Sequence, residues 1–391
     1  MLSAIRRACK SLATFVLIVP VLALAACVPA DGPASGAGPK LDGSSPIVVA
    51  LLVPGGSGQA SDSILAKSLE NAARLAIADL SGVKIDLRVY QTAGSPASAQ
   101  AMAIKAMDEG AMVILGPVFA QEANAAGVAA AGRGVSVLAF SNNTEIAGGN
   151  VFVLGPTFEN TARSLAGYAV RQGKNRVMIV HDKTTAGELG KSAIQKGVSA
   201  AGGTVVAVSS YEFSQNAVTA AVPGIVKTAR DTGATALFLT ADTAGALPLL
   251  SQSLMDGGID RAATKFLGLT RWDIPTATLS LPGVQGGWFA LPDPALYAQF
   301  QQRYKTAFGE APHPIAGLAY DGIAAIGALA RSSKDLSPRG LTQNAGFAGV
   351  TGIFRLRADG TNERGLAIAE IRNNQLTIID PAPRSFGRAG F

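Results

Sequence analysis

From Ile47 onward the chain alternates between short apolar runs rich in β-branched residues and longer segments with apolar residues at helical spacing. Short runs of this kind, bounded by Gly, Pro or Ser, are typical of buried strands. The predicted strands are Ile47–Val53, Val83–Tyr90, Met112–Leu115, Val135–Phe140, Val151–Leu154, Arg176–Val180, Thr204–Ser209, Ala236–Leu239, Lys265–Leu269 and Gly286–Ala290.

Helical spacing of Ala and Leu predicts the segments between these strands. The first helix starts at Ser61 or Asp62, either of which can act as its cap, and runs to about Leu80. The others are Ser95–Asp108, Gln121–Ala131, Phe158–Gln172, Ala186–Ala201, Ala217–Thr232, Ala244–Met255, Ala295–Phe308 and Ile315–Arg331.

The C-terminal part has hairpin character instead, with Gly352–Arg357, Leu366–Arg372 and Gln375–Ile379 as strands. Before it, strands and helices alternate so regularly that an α/β fold with parallel sheets and helices on both faces is expected. There are too many units for one sheet, so two Rossmann-like lobes are predicted. Ligands of such sheets bind beyond the carboxyl ends of the strands.

The N-terminus has the layout of a secretory signal peptide, with Arg6, Arg7 and Lys10 before the apolar run Leu12–Ala26. The sequence Leu24-Ala25-Ala26-Cys27 resembles the lipobox of bacterial lipoproteins, which implies cleavage before Cys27 and lipidation of that residue. An ordinary signal peptide with a chance Cys is the alternative. Residues 1–26 are thus predicted to be the signal and residues 27–46 a flexible Pro/Gly/Ala/Ser tether.

Charge and cysteine content narrow the classes of function. Loss of the three basic signal residues lowers the formal charge from +6 to +3, and the remaining Lys and Arg residues form no run interleaved with aromatic residues. A nucleic-acid partner is therefore not expected. The second cysteine, Cys9, leaves with the signal, so we expect a mature body without a disulfide.

Five short motifs lie at the ends of predicted strands, directly after a strand or in a predicted helix, and their order is informative. They are Gly116-Pro117-Val118-Phe119, the segment 137–143 ending Ser141-Asn142-Asn143, the segment 238–242 ending in Asp242, Phe266-Leu267-Gly268, and Ala319-Tyr320-Asp321. In the order and spacing of these motifs, the chain resembles the type I periplasmic binding proteins of the leucine/isoleucine/valine-binding class.

That resemblance implies two lobes joined by hinge strands, with a ligand held between them. Lobe one would comprise residues 47–154 plus 288–335, and lobe two residues 155–287 plus 336–391. The chain would cross between them near Gly155-Pro156, Gly287 and Ser337-Pro338. The resemblance extends to lipoproteins of the same fold that activate penicillin-binding proteins, the enzymes that build peptidoglycan.

The resemblance also implies a ligand-binding set, which in this chain comprises Val118, Ala120, Ser141, Asn142, Asn143, Asp242, Thr270 and Tyr320. Ala120 stands where amino-acid-binding members have Ser or Thr, so that only backbone N–H groups remain to hold a ligand carboxylate. The turn Ser141–Asn143 could add polar contacts or be a plain loop.

Thr270 stands where those members place an acid that meets the ligand's ammonium group. Asp242 could replace that acid, or it could cap the helix 244–255. Arg271-Trp272 could recognise a carboxylate or a ring, or could be an ordinary surface pair. Tyr320 could reach the cleft or pack between helix and sheet.

Signals for an enzyme are weak, and no metal or cofactor is expected. Gly190-Lys191-Ser192 matches the end of a phosphate-binding loop, but Thr185 occupies the position that requires the first Gly. His181 and His313, the only histidines, lack partners at metal-ligand spacing. Gln59 breaks a Gly-x-Ser-x-Gly pattern beginning at Gly55.

Two functions follow as hypotheses. The first is a monomeric, non-enzymatic receptor for an amino acid or similar small solute that serves ABC-type import. The second is a lipoprotein activator of a peptidoglycan synthase. Either would be periplasmic and anchored through Cys27, and Val28 after that residue favours the outer membrane in a Gram-negative host.

Overall fold

The computed structural model describes residues 39, 41, 45–332 and 335–386. The predicted signal, the predicted lipidation site Cys27 and most of the predicted tether lie outside the described residues. Within the described part of the chain, no helix combines the length and the apolar character needed to cross a bilayer.

Fifteen strands form in the described residues. The first ten are β1 (Ile47–Val53), β2 (Ile85–Gln91), β3 (Val113–Leu115), β4 (Ser136–Ala139), β5 (Val151–Val153), β6 (Arg176–Asp182), β7 (Thr204–Tyr211), β8 (Ala236–Leu239), β9 (Lys265–Gly268) and β10 (Trp288–Leu291). The last five are β11 (Phe347–Gly349), β12 (Gly352–Leu356), β13 (Asn362–Arg364), β14 (Ala367–Arg372) and β15 (Gln375–Asp380).

Helices connect most of the strands. They are α1 (Ala60–Asp79), α2 (Pro96–Asp108), α3 (Ala120–Ala131), α4 (Phe158–Arg171), α5 (Thr185–Ala200), α6 (Gln215–Asp231), α7 (Leu247–Asp256), α8 (Pro294–Phe308), α9 (Gly317–Arg331) and α10 (Pro338–Leu341). All ten strands and nine helices predicted before the hairpin region are present, with ends shifted by a few residues.

The strands form two main sheets and thereby two lobes. The first sheet is five-stranded and parallel, in the order β2-β1-β3-β4-β5. The second is seven-stranded, in the order β15-β14-β10-β9-β8-β6-β7, with β14 and β15 antiparallel to their neighbours. Each sheet has an apolar core on both faces, as expected for sheets covered by helices. The predicted two-lobed α/β fold is confirmed.

Strand pairing corrects two of the predicted crossing points. The strand β10 pairs with β9 and β14, so residues 288–291 belong to the second lobe and the chain returns to the first lobe after Leu291 rather than near Gly287. Residues 336–356 pack into the first lobe's core through Leu336, Leu341 and Phe354. The last crossing therefore falls near Gly365, not at Ser337-Pro338, because only β14 and β15 rejoin the second sheet.

The junction between the lobes is held by side chains of β13, which belongs to a small antiparallel sheet, β11-β12-β13. The amide of Asn362 donates to the carbonyl oxygens of Val153 and Gly155, both at 2.8 Å. Arg364 Nε donates to the Leu154 carbonyl at 3.1 Å. These bonds tie the last crossing segment to the first, since residues 153–155 carry the chain out of lobe one.

Two predicted caps are absent. The helix α1 begins at Ala60 without a side-chain cap, and Asp62 instead accepts a hydrogen bond of 2.7 Å from the Ser57 hydroxyl. The helix α7 begins at Leu247, not at Ala244, and has no side-chain cap either. Its first turn is satisfied through the backbone, because the Leu247 N–H donates to the carbonyl oxygen of Asp242 at 3.1 Å.

Candidate functional site

The carboxyl ends of the parallel strands bring the predicted ligand residues to one edge of each sheet. In lobe one, the loop after β3 turns sharply at Gly116, where φ is +90° and a Cβ would lie 2.3 Å from the carbonyl oxygen of Leu52. Only glycine fits this approach. The turn leads to Val118, which is half-buried against the core, to the exposed ring of Phe119, and to Ala120 at the start of α3.

The Ser141–Asn143 turn largely satisfies itself. The Ser141 hydroxyl is buried and accepts the Asn143 N–H at 3.1 Å. Asn143 Oδ1 accepts the Glu145 N–H at 2.9 Å and so caps a short 3-10 helix. Asn142 is exposed, and its side chain makes no hydrogen bond within the described residues. Of these three side chains, Asn142 is the one available to a ligand.

One buried acid near the site, in the first turn of α3, was not among the residues predicted from the sequence. Glu122 is 1% exposed, and neither carboxylate oxygen has a hydrogen-bond partner among the described residues. Burial raises its pKa, although the nearby Thr92 hydroxyl and the N–H groups of Phe119 and Ser95 act in the opposite direction. Glu122 lies three positions after the N-cap residue Phe119. At this spacing a Glu side chain can turn back towards the first N–H groups of the helix, and this spacing was the available sequence signal.

In lobe two, the loop after β6 is rigid. Asp182 is buried, accepts from the N–H of Thr184 at 3.0 Å and also from the Thr184 hydroxyl. Its second oxygen accepts from Thr240 at 3.3 Å, which links the ends of β6 and β8. Thr184 in turn caps α5. This acid is occupied by the protein's own donors and is therefore a positioning group for the edge.

Asp242, which follows β8, differs from Asp182 because no donor of the described residues engages its carboxylate. Its side chain is exposed and makes no hydrogen bond or ion pair in the described part of the chain. It lies beside the exposed ring of Phe213, since a Cβ on Gly245 would contact both groups. Tyr211 lies nearby: its hydroxyl is buried and unpartnered within the described residues, and burial, Asp182 and Asp242 all raise its pKa.

Arg271 and Trp272, which follow β9, do not form the ligand-recognition pair considered from the sequence. Trp272 is fully buried and packs on Gly268 and Gly287, where added Cβ atoms would lie 2.3 and 2.4 Å from its ring. Arg271 forms a two-bond pair with Asp273. Trp272 is thus a core residue and Arg271 is already neutralised. Thr270 is half-buried, with its hydroxyl 3.5 Å from the carbonyl of Ala241.

Tyr320 does not join this group. Its hydroxyl donates to Asp79 at the end of α1, and its ring packs edge-on against Phe300 at 5.8 Å between centroids. Because α1 starts at the carboxyl edge of the sheet and runs back, its last residue lies at the opposite edge. The expectation that Tyr320 lines the cleft is therefore wrong, and its packing role is what the structure supports.

The residues considered for enzymatic roles are used structurally. Lys191 pairs with Glu188 on the surface of α5. His181 is buried with Nδ1 2.9 Å from the carbonyl oxygen of Asp182, and the pKa of His313 is lowered by burial. No cluster of three or more potential metal ligands occurs among the described residues.

The charges at the strand ends are uneven. The basic side chains there are engaged, Arg271 by Asp273 and Lys183 by Glu212 at 2.7 Å. Asp242 and Glu122 form no ion pair and accept no hydrogen bond within the described residues, whereas Asp182 and Asp62 accept hydrogen bonds from neighbouring hydroxyl groups. An edge of this kind offers acceptors to a cation and backbone donors to neutral polar groups.

Solved structures with the same fold cover most of the chain. A protein from Rhodospirillum rubrum superposes with a TM-score of 0.71 at 18% identity, over 86% of this chain and 100% of that one. An ABC transporter substrate-binding protein from Desulfitobacterium hafniense in complex with Leu gives 0.63 at 18% identity, over 86% and 100%. A solute-binding protein from Rhodopseudomonas palustris in complex with 3,4-dihydroxybenzoic acid gives 0.56 at 19%, over 86% and 98%.

Comparison with curated proteins by sequence gives no significant match. The profile of a periplasmic binding protein family, in contrast, matches residues 46–375. This range contains both sheets except for β15, of which only Gln375 is included, and it includes every strand-end residue of the candidate site. The chain therefore belongs to the periplasmic binding protein family.

Proposed function

We propose that this protein binds an amino acid or a related small solute between its two lobes and delivers it to an ABC-type importer. The family and the fold support a ligand-binding role. The solved relatives from Desulfitobacterium hafniense and Rhodopseudomonas palustris hold Leu and 3,4-dihydroxybenzoic acid. A binding role without catalysis agrees with the structural use of the residues that could have served an enzyme.

The observation that carries the proposal is the unpaired carboxylate of Asp242 at the end of β8. An exposed acid without a partner, beside the aromatic ring of Phe213, suits a ligand ammonium group. The alternative role for its side chain, capping the following helix, is wrong, because α7 starts at Leu247 without a side-chain cap. Asn142 would supply the contact from lobe one.

The charged side chains at the strand ends also indicate how a carboxylate group of the ligand would be held. The basic side chains at the strand ends within the described residues already have acidic partners: Lys183 pairs with Glu212, Arg271 pairs with Asp273, and Nδ1 of the buried His181 lies 3.6 Å from Glu188. A ligand carboxylate would thus rely on backbone N–H groups at the start of α3, close to the buried carboxylate of Glu122. We therefore propose that the ammonium group contributes more to binding than the carboxylate.

Isothermal calorimetry against the proteinogenic amino acids and their decarboxylated amines tests this proposal. The expected result is at least one solute with a Kd below about 1 mM, with the amine retaining most of the affinity of its amino acid. If none of these compounds binds below that level, the receptor role fails. Neither the contacts nor the comparisons favour the alternative, an activator of a peptidoglycan synthase.

We also propose that the protein is periplasmic and anchored through Cys27. Membership of the family supports a periplasmic protein. Anchoring through Cys27, and an outer-membrane location in a Gram-negative host, rest on the sequence pattern of the N-terminus. Labelling with a radioactive or alkyne-bearing fatty acid, compared between wild type and Cys27→Ala, would detect the anchor. Equal labelling of the two proteins would show that Cys27 is not lipidated.

A further inference from the structure

A cavity of about 560 Å³ lies away from the strand-end residues, beside the last crossing between the lobes. It is bounded by α4, the end of α5, the strand β13, and the C-terminal residues 380–386. Its lining contains none of the residues assigned to the ligand cleft. The cavity is therefore a separate feature of the second lobe and the hinge.

The cavity is largely apolar. Much of the wall is formed by Val170 of α4, Leu366 just before β14, Ile368 in β14, and Pro383 near the C-terminus. The tail is held in place where the guanidinium of Arg355 lies 4.7 Å from the centre of the Phe386 ring. An apolar space of this size could bury a short hydrocarbon chain, because moving each CH₂ group out of water is favourable.

One end of the cavity carries an excess of positive charge. A single carboxylate oxygen of Glu363 accepts bonds from Arg355 Nε at 2.9 Å and from Arg357 Nη2 at 2.8 Å. Arg163 of α4 faces the same group of charges but makes no hydrogen bond or ion pair within the described residues. Its side chain is half-buried, and burial and the two neighbouring arginines lower its pKa.

The remaining charges at the cavity wall do not neutralise Arg163. Arg171 is paired with Asp380 at 2.8 Å, and Arg364 is paired with Asp321 at 3.5 Å. Glu159 also lines the cavity but forms no ion pair with Arg163. A half-buried guanidinium without a counter-charge is costly, and an anion that reached it would remove that cost.

We propose that this cavity is a second binding site, which takes a small amphiphilic carboxylate. The carboxylate would pair with Arg163 and Arg357, and the hydrocarbon part would lie along Val170, Leu366 and Ile368. The carboxylate geometry suits a guanidinium fork. Asn362 and Arg364, which hold the crossing segments together, form part of the same wall. An occupant would therefore contact the hinge directly.

Calorimetry with sodium octanoate as the probe tests the site. The octanoate anion should bind to the wild-type protein, and octyltrimethylammonium, which has the same chain length and the opposite charge, should not. In Arg163→Gln the affinity for octanoate should fall by about tenfold, the effect of losing one charge-assisted hydrogen bond. The matched control is Arg74→Gln, which removes an exposed arginine from α1, and should change the affinity less than twofold.

A second variant tests the location without changing charge. Gly167 lines the cavity in the middle of α4, and a Cβ there would meet only Arg171 Nη1, at 3.6 Å. Gly167→Leu should fold, as checked by its thermal unfolding midpoint, and should lose octanoate binding. Three results would overturn the proposal: no octanoate binding by the wild type, equal binding of the cationic probe, or unchanged binding by both Arg163→Gln and Gly167→Leu.

Discussion

Asp321 and Arg364 form a buried ion pair across the junction of the lobes, with Oδ2 and Nη1 3.5 Å apart. Asp321 belongs to α9 of lobe one and also accepts the Val350 N–H at 2.7 Å. Arg364 lies at the end of β13 and donates to the Leu154 carbonyl. Burial raises the pKa of Asp321, while Arg364 and Thr351 act against that shift. The pair thus joins a helix of one lobe to both neighbouring crossing segments.

Replacing Asp321 by Asn should destabilise the protein by about 3 to 5 kcal/mol, because the guanidinium of Arg364 would be left buried without a counter-charge. Urea unfolding followed by circular dichroism measures the change. Asp231→Asn is the matched control, since Asp231 is exposed and pairs with Lys227 one helical turn away. That control should cost less than about 0.5 kcal/mol. Similar losses in the two variants would refute the structural role assigned to the buried pair.

The turn after β3 predicts a contrast between two glycines. Gly116→Ala would place a methyl group against the carbonyl of Leu52 and should cost about 2 kcal/mol or more, because backbone cannot move aside cheaply. Gly132→Ala introduces the same methyl group at φ −68°, with no atom within 4 Å. It should leave stability unchanged or raise it by about 0.4 to 1 kcal/mol. Thermal unfolding of both variants provides the measurement, and equal effects would contradict the turn geometry.

Glu122 predicts a pH dependence. Its pKa is raised by burial in the folded protein, so the folded state holds this proton at pH values where the unfolded chain has lost it. Stability should therefore fall as pH rises from the unfolded value, about 4.3, through the raised folded value. The variant Glu122→Gln should not lose stability in this way, because its side chain does not titrate.

The difference in unfolding free energy between Glu122→Gln and wild type, measured in urea at several pH values, should be constant below about pH 4 and then move in favour of the variant. It should level off above the folded pKa. A difference that is flat from pH 4 to pH 8 would mean that the pKa of Glu122 is not shifted, and a difference that moves in favour of wild type would mean that it is lowered; either result would contradict the raised pKa.

Asp242 predicts an effect on affinity without an effect on stability. Because its carboxylate is exposed and unpaired within the described residues, Asp242→Asn should not change the unfolding midpoint. The affinity for an amine-bearing ligand should fall by about 10- to 100-fold, the loss expected for a charge-assisted hydrogen bond. Calorimetry of the variant beside the Asp231→Asn control separates this effect from a general loss of negative charge. Unchanged affinity would remove Asp242 from the site.

The fold was predictable because the signal is local. Runs such as Ile47–Val53 are apolar throughout since both faces of a parallel sheet are covered, and the helices between them carry regular apolar spacing. The lobe that each late strand joins was not predictable in the same way. The strand β10 has the same apolar pattern whichever sheet it enters, and its pairing depends on the long-range contacts of β9 and β14.

The site was only partly predictable for a related reason. Strand ends locate Asn142 and Asp242, because chain order alone places them at an edge of a sheet. Sequence spacing does not reveal that Trp272 turns inward to cover Gly268 and Gly287, or that Tyr320 meets Asp79. Those outcomes depend on which side chains three-dimensional packing brings together.

A crystal structure of the protein with the tightest-binding solute from the calorimetric panel would test the central claim most directly. We predict that the solute lies between the lobes, with its ammonium group within hydrogen-bond distance of Asp242 and with Asn142 contacting it from lobe one. A solute held by only one lobe, or bound in the cavity beside α4, would contradict the assignment of the strand ends as the binding site.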